Sequence, residues 1–487
     1  MAARRVTSGW DTYMVNLTKI SSALERIEEV VGRRGVVEGL AAESYLRDER
    51  GLYSGQAAAV VRPASTEECA RVIRICGDAG IGVVPQGGNT GYCGGATAFD
   101  EVAQIVMNLS RMNRVQGVDP VNFAMTVEAG AVLTEVHAAA HEHDLMFPLS
   151  MGSQGSCQIG GVLSTNAGGI SVVRYGTARD LVLGLEVILP TGEVLSELKG
   201  LRKDNTGYDL KSLFLGAEGT LGVITAAVLK LFPEPRSRQT ALLGIATPQA
   251  ACDLLGSARR RSADRVVSAE YLSRASLDLV TRLIEGARNP FEEPLEHFLL
   301  LELAGAETDP ELRVVLEQVL KEGIKTGEIV NGVLAESGLQ RSALWELRES
   351  IPEAERRDGG SVKHDISVQI SRIPEFVEEA ERVLHAIAPH RLSVFGHIGD
   401  GNLHYNVLPP MGEALEAFKE GPAEQMSSAL HELAVSLGGS FSAEHGVGVL
   451  KRDELQKYGS PAAVGLMRTL KDALDPNGIM NPGKVLG

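Results

Sequence analysis

The sequence predicts an α+β protein in which a first domain of two subdomains precedes an α+β domain built on an antiparallel sheet. The C-terminal tail then returns to the first domain. Three observations carry this reading. Short apolar strands alternate with Gly-rich loops up to about residue 235. At PEPRSR (233–238) two prolines among polar residues punctuate the chain. Beyond that point long amphipathic patterns (249–260, 273–288, 310–324, 374–388, 421–437) alternate with strands such as HFLLLELAG (297–305). The expected divisions are an N-terminal flank (1–54), the first domain (55–235), the second (236–460) and a C-terminal segment (461–487).

Bulk properties narrow the function. With 487 residues and 44% hydrophobic composition, the chain has room for roughly two to three domains with ample core. A net charge of −16, with no prominent basic run, argues against nucleic acid as a partner. Five scattered cysteines (69, 76, 93, 157, 252) form no CxxC pair, which favours a reducing compartment over a disulfide framework. No transmembrane segment is evident. The leader MAARRVTSGW lacks an apolar core and runs straight into Asp11, so a cytoplasmic location is expected.

Taken in order, residues 18–39 read as a helix and loop that brace the fold. AAAVVRP (57–63) is a strand stopped by Pro63, and Ser65 with Glu68 forms a capping-box pattern. Cys69, Val72, Ile73 and Cys76 mark one face of the helix that follows, and IGVVPQGG supplies the next strand. Strands near IVMNLS and FAMTVEAG and a helix around 131–142 make a second α/β segment. GLEVILPTGEVL (184–195) reads as a hairpin closed by Pro-Thr-Gly.

The stretch 145–173, LMFPLSMGSQGSCQIGGVLSTNAGGISVV, holds 29 residues without one Asp, Glu, Lys or Arg. Its glycines, serines and Asn166 would leave backbone polar groups unsatisfied in lipid, so it is no membrane span. A buried loop system that lets main chain approach a large, partly apolar ligand fits better. Three Gly-rich loops (87–95, 152–169, 216–222) lie in the first domain, yet none spells GxGxxG or GxxxxGK[ST]. Residues 87–91 after a strand suit a backbone N–H nest for a pyrophosphate. Several separated loops suit an extended cofactor better than a mononucleotide.

These motifs carry a resemblance. VVPQGGNTGYCGG, PLSMGSQGSCQIGGVLSTNAGG, RYG, DNTGYDLK and GAEGTLGVIT resemble the FAD-binding domain of the vanillyl-alcohol oxidase/p-cresol methylhydroxylase (PCMH)-type flavoproteins. Within that family the chain is most similar to the D-2-hydroxyacid dehydrogenases, the D-2-hydroxyglutarate and D-lactate branch. The resemblance spans about residues 40–487. It implies a PCMH-type FAD-binding domain followed by a substrate (cap) domain. Pro85, Gly87, Gly88, Asn89, Thr90 and Gly91 would then hold the FAD pyrophosphate. Pro148, Gly152, Ser156, Gly160, Gly161, Ser164, Thr165, Asn166 and Gly169 would line the cofactor. Arg174, Glu218, Gly222, Ile224 and, from the tail, Asn481 are further implied contacts. Some relatives attach FAD through a histidine in the first loop. This chain has Gly88-Asn89-Thr90 there, which implies non-covalent FAD.

A second cluster, FGHIGDGNLHYN (395–406), lies in the C-terminal half. If Asp400-Gly401 forms a two-residue turn, His397 and His404 stand directly opposite each other, at a Cβ separation of roughly 4.5–5.5 Å that suits one metal. SAEHGVG (442–448) offers Glu444 and His445. Two histidines and a carboxylate around an open position is a pattern of catalytic Zn²⁺ or Fe²⁺ sites. Spacing alone is equally met by two histidines packed in a core hairpin beside an unrelated acidic loop. The resemblance implies that His397, His404 and Glu444 are ligands of a divalent metal, with Zn²⁺ expected, and that His445 is the base. Because strand neighbours face opposite ways, Glu444 and His445 share a site only if the backbone bends, for which Gly446 is placed.

The resemblance further implies that Arg348 and Lys363 bind the substrate carboxylate and that Asn406 touches the substrate. By residue type alone, Arg348 and Lys363 are ordinary solvated faces. Pro352 stands one helical turn after Arg348, where the resemblance implies that a hydroxyl-bearing residue of dicarboxylate-using relatives could hold the distal carboxylate, and proline cannot donate. That counts against D-2-hydroxyglutarate and leaves D-lactate, D-malate or another short D-2-hydroxy acid open. His137 and His141 are four apart in HAAAH, not HExxH, and read as a solvent-facing helix. The implied electron acceptor is an electron-transfer flavoprotein or a quinone. A flavin subunit of a glycolate-oxidising complex and an oxygen-using oxidase are the alternatives. The oligomeric state stays open, a homodimer among the options.

Overall fold

The computed structural model describes residues 9–99, 103–305 and 310–487, the side chains of 9–17 and of 310 excepted. The leader residues 1–8 lie outside the described residues. The brace expected at 18–39 is a longer helix, Gly9–Val31, whose Ala23, Ile27 and Val31 are buried in the first domain's core.

Two sheets make the first domain. The smaller orders its strands Val36–Val37, Ala59–Val61, Gln104–Asn108, Gly82–Gln86. Its last three run parallel, with helix Thr66–Ala79 as the crossover. That helix starts where the capping residues stand. Ser65 Oγ accepts the Glu68 N–H at 3.3 Å, and the Glu68 carboxylate accepts the Ala64 N–H at 2.7 Å. Cys69, Val72, Ile73 and Cys76 face the core. The five-stranded sheet is antiparallel, in the order Val115–Asp119, Ala124–Glu128, Val223–Lys230, Val182–Ile188, Val194–Glu197. Its last two strands form the hairpin predicted at 184–195, turned at Gly192 with φ +77°. One apolar cluster runs from Ala23 to Leu231 and includes Ile479 and Met480 of the tail.

The second domain is a seven-stranded antiparallel sheet. Its order is Ile329–Leu334, Ser237–Ile245, His297–Gly305, Val266–Ser273, Arg391–His397, Asn402–Leu408, Asp365–Ser367. Helices Pro248–Arg261, Pro310–Thr326, Ile373–His385 and Ala423–Ser436 cover one face; Arg274–Leu283, Gly338–Glu349 and Ile351–Arg357 cover the other. The tail docks as a further edge. Val83 N–H donates to Ile479 O at 2.7 Å and Asn481 N–H to Val83 O at 2.8 Å, alongside strand Gly82–Gln86.

The hairpin carrying the two histidines departs from the expected register. Phe395, not His397, stands opposite His404, and residues 398–401 form a four-residue loop. The loop is held by its neighbour: Val368 N–H donates to Gly401 O at 3.0 Å, and Gly401 takes φ +88°. The shift is two residues, an even number, so His397 and His404 still share one face of the sheet. His397 is paired on its other side with Glu270.

Candidate active site

One cavity of about 620 Å³ runs between the two domains. The first domain contributes Pro85, Gly87, Gly88, Asn89, Thr90, Gly91, Gly152, Gly160, Gly161, Ser164, Thr165, Gly169, Glu218, Gly222 and Ile224 to its wall. The glycines serve in two ways. At Gly88 and Gly169 an added Cβ would fall 2.0 and 2.1 Å from the carbonyl oxygens of Ser156 and Ser150, so loop packs directly on loop. At Gly91, Gly152 and Gly161 a Cβ would meet nothing within 4 Å. Those glycines keep open a groove that side chains would fill. Gln158, which the sequence reading missed, also lines the groove, and its Oε1 is buried without a hydrogen-bond partner. A glycine-walled groove with an orphaned amide oxygen fits a long, hydrogen-bonding cofactor such as FAD.

Five expected cofactor contacts lie off this wall. Pro148 is buried between the core residues Phe147 and Leu149. Ser156 turns its hydroxyl to Ser153 O at 3.3 Å, in solvent. Asn166, at φ +51°, accepts from Thr177 Oγ1 and the Arg179 N–H and so fixes its own turn. Arg174 donates to Ala304 O at 2.8 Å, tying the two domains together. Asn481 works from behind: its Nδ2 donates to Gly95 O at 2.9 Å and to Glu218 O at 2.7 Å, clipping two cavity loops.

The second domain brings His397, His404, Glu444, His445, Arg348, Lys363 and Asn406 to the opposite wall. One ligand atom each from His397, His404 and Glu444 lies within 4.8 Å of the others. The His397 and His404 rings meet edge to face at 5.6 Å, and His397 Nε2 lies 3.6 Å from Glu444 Oε1. His397 Nδ1 donates to Glu270 Oε1 at 2.7 Å, which leaves Nε2 turned to the cluster. A carboxylate behind the imidazole is the usual support of a metal-binding histidine.

The electrostatics suit a cation. Burial, with Asp365 and Asp400 nearby, lifts the Glu444 carboxyl to about 7 even though His397 opposes the rise. Among the described residues nothing donates a hydrogen bond to that carboxylate. Burial and the charge of His397 hold His404 well below its ordinary range, as a neutral imidazole. Neutral imidazole and unsatisfied carboxylate are metal donors. The donor set therefore fits a divalent ion. Asp365, Glu444 and His445 form a second candidate set, but Asp365 is already engaged by its hydrogen bonds.

Those bonds explain how two chain neighbours reach one site. Asp365 Oδ2 accepts the N–H groups of both Glu444 and His445 at 2.9 Å, and Oδ1 accepts Asn402 Nδ2 at 3.0 Å. The next two amides, Val447 and Gly448, donate to the carboxylate of Glu218 at 2.7 and 2.8 Å. Gly446, at φ +75°, lies between the two carboxylates. A loop wrapped around carboxylates from both domains bends enough to direct both side chains inward. His445 Nδ1 lies 3.3 Å from Asp365 Oδ2, and burial lowers the imidazole to about 4 despite that carboxylate.

Two further carboxylates, missed in the sequence, stand behind the predicted substrate groups. Glu270, fully buried, accepts Arg348 Nε at 2.7 Å with its second oxygen. Burial alone would raise it, yet His397 and Arg348 hold it down to about 2. Glu355, also fully buried, accepts Lys363 Nζ at 2.7 Å and Asn406 Nδ2 at 3.0 and 3.1 Å. The signal available for Glu270 was a lone acid in the apolar strand VVSAEYLS. His137 and His141 take structural roles: His137 bonds Leu149 O, and His141 pairs with Glu234 at the surface.

Comparison with known proteins identifies the two domains and the family. Residues 57–196 match the FAD binding domain family, and residues 234–485 match the C-terminal domain of FAD linked oxidases. The chain is 38% identical over 467 residues to the mitochondrial D-2-hydroxyglutarate dehydrogenase of Bos taurus, covering 95% of this chain and 83% of that one. It is 35% identical over 454 residues to a D-2-hydroxyglutarate–pyruvate transhydrogenase of Saccharomyces cerevisiae, covering 91% and 89%. Among solved structures, p-cresol methylhydroxylase with substrate bound superposes with a TM-score of 0.75 at 18% identity, covering 96% and 97%.

Proposed function

The chain belongs to the FAD-linked, PCMH-type flavoproteins, in their D-2-hydroxyacid dehydrogenase branch, and on that premise we propose that it oxidises a D-2-hydroxy acid to the 2-oxo acid. D-2-Hydroxyglutarate is the leading substrate, by the names of the relatives, with D-lactate and D-malate as the others. When bound, FAD supplies the acceptor for the hydride leaving C2, and a divalent metal, Zn²⁺ by its donors, supplies a Lewis acid for the 2-hydroxyl. His397, His404 and Glu444 would hold the metal. The glycine groove, with residues 85–91, would hold FAD, non-covalently because no histidine lies in that loop.

The chain's own residues do the rest. With Nδ1 turned to Asp365, His445 has Nε2 free to take the hydroxyl proton. Burial keeps that imidazole neutral, the form a base needs. Arg348 and Lys363 bind the substrate carboxylate, held in place by Glu270 and Glu355, with Asn406 as a further contact. The observation carrying this reading is the meeting of His397, His404 and Glu444 on the same cavity as the glycine groove.

The test is dye-linked oxidation by the purified chain. D-acids should be turned over and L-acids not, with His445→Gln losing activity by about two orders of magnitude or more. Turnover of L-acids alone, or full activity in that variant, would remove the reading. An electron-transfer flavoprotein or a quinone is the proposed acceptor. A second oxidant, a 2-oxo acid, is favoured by the name of the yeast relative. Five unpaired cysteines support a reducing compartment, the cytoplasm, although the bovine relative is named mitochondrial. Among the described residues no helix is long and apolar enough to cross a membrane.

A further inference from the structure

We propose that Glu218 is a positioning residue that couples the glycine groove to the metal cluster, so that FAD and the divalent ion bind cooperatively. The coupling rests on the dehydrogenase reading above, which puts both groups in this cavity.

The loop from Ser442 to Lys451 carries the proposed ligand Glu444 and the proposed base His445, and its support changes at Gly446. Before that glycine the second domain holds it. Ala443 N–H donates to Asp365 O at 3.2 Å, and the Glu444 and His445 amides donate to the Asp365 carboxylate. After it the first domain takes over. Val447 N–H donates to Glu218 Oε1 at 2.7 Å, Gly448 N–H to Glu218 Oε2 at 2.8 Å, and Val449 N–H to Cys93 O at 2.8 Å. The tail adds a bond from Val485 N–H to Gly448 O at 2.8 Å. Two glycines at positive φ permit the approach. A Cβ at Gly446 would lie 2.8 Å from Glu218 Oε1, and one at Gly448 only 2.2 Å from Cys93 O.

The acceptors belong to the groove. Glu218 comes from loop 216–222 and Cys93 from loop 87–95, and both line the cavity with their neighbouring glycines. Asn481 ties the two loops together through Gly95 O and Glu218 O. Both oxygens of the Glu218 side chain are occupied by amides of the other domain, in charge-assisted bonds. FAD in the groove fixes these loops, and with them the acceptors that hold residues 447–449. Glu444, three residues before Val447, is then already placed for the ion. Order imposed by one group need not be imposed again by the other, and such a coupling is reciprocal.

The test measures Zn²⁺ affinity by chelator competition in FAD-free and FAD-loaded protein, and FAD affinity by flavin fluorescence with and without Zn²⁺. Hydrogen–deuterium exchange follows the peptide holding residues 447–449. In the wild type, FAD should tighten Zn²⁺ about tenfold, Zn²⁺ should tighten FAD by the same factor, and FAD should slow exchange in that peptide. Glu218→Gln puts an amide NH₂ where one acceptor stood, and the coupling should shrink to about twofold or less. Glu218→Asp keeps the charge and should retain part of the coupling; it replaces the first variant if that one does not fold. No coupling in a wild type that binds both groups would overturn the proposal. So would full coupling in Glu218→Gln, which would assign it to direct contact between FAD and the ion. Weakened FAD binding by Glu218→Gln in the absence of Zn²⁺ would make Glu218 a cofactor contact and overturn it too. A wild type that binds no FAD or no Zn²⁺ would remove the dehydrogenase reading itself.

Discussion

Glu270 joins His397 to Arg348: one carboxylate oxygen stands 2.7 Å from His397 Nδ1 and the other 2.7 Å from Arg348 Nε, in a fully buried setting. A proposed metal ligand and a proposed substrate-binding group therefore share one support. Glu270→Gln should weaken both functions together. Metal affinity, followed by competition with a chelator, should drop about tenfold to a hundredfold, and KM for the D-acid should rise. A change in KM with metal affinity untouched would show that the two are not linked through this residue.

Asp365 holds the bend that directs Glu444 and His445 inward. Asp365→Asn removes the charge from two amide contacts and from the side of His445. A loss of about 2–4 kcal/mol in unfolding free energy is expected, from hydrogen bonds to a charged, buried group. The turnover number should fall with it. Denaturant unfolding and steady-state kinetics measure the two, and unaltered kcat at full folding would contradict the assigned role.

The glycine groove makes a sharper test of the cofactor site. At Gly161 an added Cβ meets nothing within 4 Å, whereas at Gly88 it would strike Ser156 O at 2.0 Å. Gly161→Ala should leave the FAD-free protein as stable as wild type while weakening FAD binding. Gly88→Ala should lower stability even without FAD. Thermal unfolding of the FAD-free protein, with flavin titration, separates these effects. Equal FAD affinity in Gly161→Ala would place the cofactor elsewhere.

Stability should depend on pH through two buried histidines away from the metal cluster. Burial and the neighbouring His431 lower His364 to about 3, while burial with Lys451 and Lys457 lowers His431 to about 4. Both stay neutral in the fold at pH values where an unfolded histidine, near 6.5, is already charged. Because the unfolded chain binds the protons first, stability is complete above about pH 6.5 and is lost as pH falls towards the folded values. About 1–2 kcal/mol per histidine should disappear by pH 5. His431→Gln should flatten that slope in denaturant titrations at pH 7.5, 6 and 5. A slope identical to wild type would assign the acid sensitivity to other groups.

Much of this was legible in the sequence because it rests on local chemistry. The cap at Ser65, the Pro-Thr-Gly hairpin and the amphipathic helices each depend on residues a few positions apart. The shared face of His397 and His404 was legible for a subtler reason: the register was misjudged by two residues, and strand parity forgives an even error. Hidden were the features that need distant partners. Glu270, Asp365 and Glu355 gain their meaning from partners such as His397, Glu444 and Asn406, which lie 127, 79 and 51 positions away. Asn166, Arg174 and Asn481 carry family motifs, but whether such a side chain faces a cavity or braces it from behind is decided by packing.

The central claim is that the glycine groove and the His397, His404, Glu444 cluster serve one oxidation. An anaerobic absorption spectrum of the FAD-loaded, Zn²⁺-loaded chain tests it most directly, recorded with D-2-hydroxyglutarate, D-malate and D-lactate before and after chelation. A D-acid should bleach the oxidised-flavin band, chelation should abolish the bleaching and Zn²⁺ should restore it. Bleaching that survives complete removal of metal, or a flavin band that none of the three acids changes, would contradict it.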